Sequence, residues 1–171
     1  MKSFLHSLNS DETSQVLKTL LDDNPELIKK AYDIAVKAVG DVDADTIGHE
    51  IYQELNALDV DYLYEHSGKS RYGYVDPHDM AWEMFEDALS PFIDEMKTNQ
   101  QRGLLAVAKA YCIGIIRGLW RFEEKSNSDF KDWVTDAAGD YVSTVVDTWK
   151  KGKPSDDDIA QVMSILEDGP S

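Results

Sequence analysis

The stretch GLLAVAKAYCIGIIRGLWRF, residues 103–122, is the most apolar part of this chain. Lys109 and Arg117 interrupt it, so we do not expect it to span a membrane. Small residues recur along it at every fourth position and therefore share one helical face: Ala106, Ala110, Gly114 and Gly118. Small side chains let a neighbouring helix approach closely. A helix of this kind is typical of the centre of a helical bundle.

The segments on both sides of 103–122 have the periodicity of amphipathic helices. Polar capping residues, two of them followed by proline, precede several of these segments: Ser10, Asn24-Pro25, Asp59, Asp76-Pro77 and Ser155. We expect one all-α domain over residues 1–171, with six to eight helices in antiparallel pairs around 103–122. Residues 168–171 are expected to form a short flexible tail. Pro91 is expected to kink or split the helix that contains it.

The composition limits the possible functions of the chain. Its 171 residues are enough to bury a core, and 33 acidic against 17 basic residues give a net charge of −16. This charge disfavours binding to nucleic acids and to anionic membrane surfaces. Cys112 is the single cysteine, which excludes an internal disulfide and a cysteine-based zinc site. The N-terminus lacks the long apolar core of a signal peptide, so we expect a cytoplasmic protein.

Three short motifs resemble ligand sites but lack essential residues. Gly68-Lys69-Ser70 ends like a phosphate-binding loop, yet Leu63 occupies the position of its first glycine. HEIYQ at 49–53 has glutamine where a zinc protease helix needs its second histidine. Asp41, Asp43 and Asp45 alternate as in a calcium loop, but the required glycine and glutamate are missing. We therefore expect no cofactor, no metal ion and no catalytic residues.

A local reversal of charge accompanies the central helix. Between Met96 and Phe122 the chain carries five basic residues and no acidic one. Lys109, Arg117 and Arg121 are spaced by eight and four, so they share a helical face. They are expected to pair with carboxylates of neighbouring helices, for which Glu83, Asp87 and Asp140 are available. Alternatively, they form a pocket in which Arg117 and Arg121 hold a small anion.

The loop between the helices that Asp59 and Asp76 are expected to cap is the best candidate for a partner contact. Arg71, Tyr72 and Tyr74 lie close together there, and Trp82 follows on the next helix. Exposed tyrosine beside arginine is enriched at protein interfaces. Tyrosines in such a loop also commonly fold back over helix ends, which leaves a purely structural interpretation open.

Residues 73–122 read GYVDPHDMAWEMFEDALSPFIDEM, then GLLAVAKAYCIGIIRGLWRF after a short connection. This region resembles the helical region that accompanies SWIM-type zinc finger proteins of prokaryotes. The cysteine and histidine zinc ligands of that family have no counterpart here. The resemblance implies a helix-pair scaffold of the kind that serves as an interaction module in larger assemblies.

Together these observations favour a non-catalytic protein–protein interaction role, as an adaptor or accessory protein. The expected partner is another protein, and a homo-oligomer is left open. The alternative is a helical bundle that binds a small anion, or acts on one, through Arg117 and Arg121. An exposed aromatic patch near Tyr72, Tyr74 and Trp82 would favour the first function. A closed pocket with polar walls would favour the second.

Overall fold

The computed structural model describes residues 2–22, 24–39, 42–70 and 73–169, and about 81% of it is helical. The described residues form nine α-helices, one 3₁₀ helix and one short hairpin, which confirms the predicted all-α fold. The contacts group into two compact units, residues 1–41 and residues 42–171, which are described separately. The single domain stays a prediction. The flexible tail at 168–171 also stays one: Asp168 is the last residue of a helix, and residues 170–171 lie outside the described part.

The first unit contains the helices Lys2–His6 (α1), Ser10–Asp22 (α2) and Pro25–Val39 (α3). Asn9 caps α2, since its side-chain oxygen accepts from the Glu12 N–H at 2.9 Å while Glu12 accepts from the Asn9 N–H at 3.0 Å. The prediction of Ser10 as the cap was wrong by one residue, because only Asn9 is matched by a glutamate three residues later. Asn24 caps α3 as predicted, accepting from the Leu27 N–H at 3.3 Å.

The second unit contains six α-helices among its described residues: Ala44–Asn56 (α4), Val60–His66 (α5), Pro77–Gln101 (α6), Leu105–Lys125 (α7), Ala137–Lys150 (α8) and Asp156–Asp168 (α9). A 3₁₀ helix, Asp129–Trp133, lies between α7 and α8. Side chains of Asp43, Asp59, Asp76 and Ser155 each accept a backbone N–H of the following helix, which confirms the caps predicted at Asp59, Asp76 and Ser155.

The central position of α7 is confirmed. It packs against α4, α6, α8 and α9, and buried side chains occur along its length. Cys112 is fully buried on this helix, and burial raises the pKa of its thiol from 9.0 to about 12. The thiol therefore stays protonated and serves as a small apolar side chain in the core.

The small face of α7 receives α4. A Cβ atom placed on Gly114 would lie 2.6 Å from Cβ of Ile47, and one on Gly118 would lie 2.7 Å from Cβ of Ile51. Gly48 of α4 faces the same contact, since its own Cβ would lie 3.1 Å from the Gly114 carbonyl oxygen. The two helices thus meet almost backbone to backbone, which only glycine permits at these positions.

Two sequence predictions need correction. Residues 68–75 contain a short antiparallel hairpin, Gly68–Ser70 (β1) and Gly73–Val75 (β2), where the sequence predicted a loop. The expected split at Pro91 is wrong, because α6 continues as one helix from Pro77 to Gln101, while the expected kink stays a prediction. Pro91 is exposed, so the carbonyl that lacks its hydrogen bond lies on the solvent side, where water can replace the missing donor.

Candidate functional site

Three basic residues of α7 meet carboxylates of other helices. Lys109 Nζ lies 2.5 Å from Asp158 Oδ1 on α9 and donates to Gln161 Oε1 at 2.9 Å. Arg117 and Arg121 both reach Asp45 of α4, with nitrogen–oxygen distances of 3.0 and 3.3 Å. The carboxylates that pair with these three basic residues are therefore Asp45 and Asp158. The sequence had instead indicated Glu83, Asp87 and Asp140 as available partners.

A cleft of about 270 Å³ lies beside Arg117 and Arg121. Its remaining lining comes from α4, α7 and the end of α9: Asp45, Trp120, Glu124, Ile165, Asp168 and Gly169. Three carboxylates therefore face two guanidinium groups, and one of the carboxylates already accepts hydrogen bonds from both arginines. A small anion entering this cleft would compete with Asp45 for the two guanidinium groups and would meet two further negative charges.

The Lys109–Asp158 pair makes the stability of the second unit depend on pH. Hydrogen bonds from Lys109 and Ser155 lower the pKa of Asp158 below its ordinary value of 3.8. Because the folded-state pKa is the lower one, the carboxylate stabilises the fold above that ordinary value, and this contribution is lost as the pH falls through the folded-state pKa.

Asp158→Asn is accordingly expected to reduce the free energy of unfolding by about 1 kcal/mol at pH 7 and by progressively less below pH ~4. Urea unfolding of wild type and variant at several pH values measures this difference. Asp157→Asn removes a neighbouring exposed carboxylate of the same helical turn and serves as the control. A difference between wild type and Asp158→Asn that stayed constant down to pH ~2 would contradict the assignment.

The predicted partner-binding residues are only partly described. Arg71 and Tyr72 lie outside the described residues. Tyr74 on β2 is 65% exposed, and Trp82 on α6 is 36% exposed. Tyr74 belongs to the hairpin, whereas Trp82 belongs to a larger group of aromatic side chains on the second unit.

This group, the aromatic row, consists of Tyr64, Trp133, His78, Trp82 and Tyr141. The ring of Trp133 lies 5.5 Å from that of Tyr64 and 5.0 Å from that of His78. His78 and Trp82 are one turn apart on α6, and the Trp82 ring lies 6.4 Å from that of Tyr141. The row therefore crosses four elements: α5, the 3₁₀ helix, α6 and α8.

The aromatic row is exposed on one side and supported on the other. Tyr64, His78 and Trp82 are exposed, while Trp133 and Tyr141 are half-buried. Beneath it, the fully buried Phe85 lies 5.9 Å from Trp82 and 5.7 Å from Tyr141, measured between ring centres. Rings held in place from below lose little conformational freedom when a partner covers them.

Carboxylates surround the aromatic row. Asp79 and Glu86 are exposed and share the Trp82 side of α6, being three residues before it and four after it. Burial and the charge of Glu86 raise the pKa of Tyr141. Lys131, two residues before Trp133, donates to the Glu123 carbonyl oxygen and pairs with the Glu123 carboxylate. The surface thus combines aromatic faces with negative charge.

Sequence reasoning found Trp82 but missed Tyr64, Trp133 and Tyr141. Fifty-five residues separate His78 from Trp133, whose carbonyl oxygen lies 3.4 Å from the His78 ring nitrogen. No local pattern in the sequence signals a contact over such a separation.

No protein-family model, curated protein or solved structure matches this chain significantly. Among the described residues, none of the helices has both the length and the apolar character needed to cross a membrane.

Proposed function

We propose that this chain is a non-catalytic helical protein–protein interaction protein, an adaptor or accessory component, and that the aromatic row is its binding surface. The observation that carries the proposal is the exposure of Tyr64, His78 and Trp82 in one row. The Trp133 ring lies against both Tyr64 and His78, and Trp82 follows His78 one helical turn later on α6. Tyrosine and tryptophan dominate the energetics of protein interfaces, because each buries a large area with few rotatable bonds.

The partner that fits this surface is a protein segment rich in arginine or lysine. Cations bind favourably over the faces of tryptophan and tyrosine, and Asp79 and Glu86 lie where they can pair with them. The net charge of −16 would attract a basic segment over a longer range and speed its association. The same charge disfavours nucleic acids and anionic membranes as partners.

The alternative function, binding of a small anion by Arg117 and Arg121, is less well supported. Both guanidinium groups already interact with Asp45, at 3.0 and 3.3 Å. A cytoplasmic location remains part of the proposal, since the one cysteine needs no oxidising compartment. The scaffold role implied by the resemblance of residues 73–122 to SWIM-associated helical regions agrees with an interaction protein and also remains a proposal.

A selection from a peptide library with the full-length chain as bait tests the proposal. We expect it to enrich basic peptides whose affinity falls as the salt concentration rises. Tyr64→Ala and Trp82→Ala are each expected to weaken binding of these peptides by roughly 10-fold or more, measured by titration calorimetry.

The matched control is Tyr62→Ala. Tyr62 is also an exposed tyrosine of α5, but its ring stacks on His66 and is not part of the aromatic row. We expect it to change the peptide affinity less than about 3-fold. Peptides that bind equally well to the Tyr64→Ala and Trp82→Ala variants would refute the proposed surface. Binding of phosphate or citrate that Arg117→Ala abolishes would instead support the alternative function.

A further inference from the structure

The first unit carries an apolar stripe that nothing in that unit covers. None of its described side chains between residues 2 and 38 is buried. The stripe consists of large side chains of α2 and α3 that are between 36% and 59% exposed and share one side of their helix: Val16, Leu17, Leu20, Leu27, Ile28 and Ile34. Isolated helices of 13 and 15 residues are only marginally stable in water. Helices α2 and α3 pack against each other, but this contact leaves the stripe uncovered, so the pair needs a further covering surface.

The exposed area of this stripe agrees with what a dimer needs. At the exposed fractions above, the six side chains offer roughly 500 Å² of apolar surface. A stable interface buries about 800 Å² on each partner, somewhat more than half of it apolar. Helices α2 and α3 of a second copy would supply an apolar area of the same size.

The distribution of charge also favours a second copy of this chain. Residues 1–41 carry seven acidic and five basic residues, a net charge of −2, whereas residues 42–171 carry 26 and 12, a net charge of −14. Two first units therefore approach one another with little repulsion, unlike two second units.

Within the first unit the two helices differ in charge. Helix α2 is acidic, with Asp11, Glu12 and Asp22 against Lys18. Helix α3 has a net charge of +1, with Lys29, Lys30 and Lys37 against Glu26 and Asp33. In a two-fold symmetric pair, α2 of one copy can face α3 of the other, so that both contacts bring opposite charges together.

We infer that the first unit is a dimerisation module, in which the stripes of two copies pair to form a four-helix bundle. This inference is independent of the proposed function, which concerns the aromatic row of the second unit. Each dimer would present two aromatic rows, so a partner with two basic segments would bind more tightly than one with a single segment.

Sedimentation equilibrium of the full chain between about 1 and 100 µM tests the inference. The expected mass is twice the chain mass of 19.3 kDa. Leu20→Glu places a charge in the stripe of both copies and is expected to raise the dimer dissociation constant roughly 100-fold or more. Gln15→Glu adds the same charge to the opposite side of α2 and is expected to change the dissociation constant less than about 3-fold.

A second measurement needs no variant. Hydrogen exchange of the wild-type chain at low and high concentration should show amide protection of α2 and α3 rising with dimer population, while that of residues 42–169 stays constant. A chain that is monomeric at about 100 µM would overturn the inference. This holds also if the amides of α2 and α3 are protected from exchange in that monomer, because the stripe would then be covered by its own chain. A dimer that Leu20→Glu leaves intact would also overturn it, because another surface would then join the copies.

Discussion

Gly118→Ala is expected to lower the free energy of unfolding by about 2 to 3 kcal/mol, although alanine is the better helix former. Its Cβ atom would lie 2.7 Å from Cβ of Ile51 and 3.0 Å from the Gly48 carbonyl oxygen. These atoms belong to backbone or lie next to it, so no rotation of a side chain relieves the overlap. Helices α4 and α7 would have to separate, and the core contacts around Ile51 would weaken.

Gly139→Ala is the matched control for this variant. Gly139 also lies inside a helix, α8, but it is exposed and a Cβ atom there would meet nothing within 4 Å. The control is expected to raise the free energy of unfolding by up to about 1 kcal/mol, from helix propensity alone. Urea unfolding followed by circular dichroism measures both variants. Equal effects of the two substitutions would show that α4 and α7 are not in close contact.

Phe85→Ala is expected to lower the free energy of unfolding by about 3 to 5 kcal/mol. Phe85 is fully buried on α6, and its ring lies 6.2 Å from that of Phe122 on α7 and 5.7 Å from that of Tyr141 on α8. Three helices therefore meet at this side chain, and their backbones prevent the cavity from closing. Loss of the transfer free energy and the remaining cavity both destabilise the fold.

Tyr74→Ala is the control for the loss of an aromatic ring. Tyr74 is 65% exposed on the short hairpin, so its removal is expected to change the free energy of unfolding by less than about 0.5 kcal/mol. Thermal and urea unfolding of both variants provide the comparison. A destabilisation by Phe85→Ala of less than about 1 kcal/mol would contradict the packing of α6, α7 and α8 around this ring.

Phe85→Ala also bears on the aromatic row. Trp82 and Tyr141 rest on the Phe85 ring, and they would gain mobility when it is removed. A variant that remains folded at low temperature should therefore bind basic peptides less tightly, since a mobile surface loses more conformational entropy on binding.

Much of the fold could be predicted because its signals are local. Capping side chains such as Asp43 and Ser155 bond to backbone groups three residues away, so the sequence marks where these helices begin. The spacing of Gly114 and Gly118 indicated that another helix approaches α7 closely, but not that this helix is α4. The predicted split at Pro91 was wrong, because a helix tolerates proline where the carbonyl that loses its hydrogen bond faces water.

The candidate sites were less predictable, because each one combines distant parts of the chain. The sequence placed Arg117 and Arg121 on one face of a helix. Only the tertiary structure decided that Asp45, more than 70 residues earlier, accepts hydrogen bonds from both. The aromatic row likewise depends on how α5, α6, α8 and the 3₁₀ helix pack.

By itself, the sequence determined which side of each helix is apolar, because that depends on residues three and four apart. Only the tertiary structure decided which sides meet and which aromatic rings remain in contact with water. Those outcomes depend on the fit between whole surfaces, and no short stretch of sequence contains it.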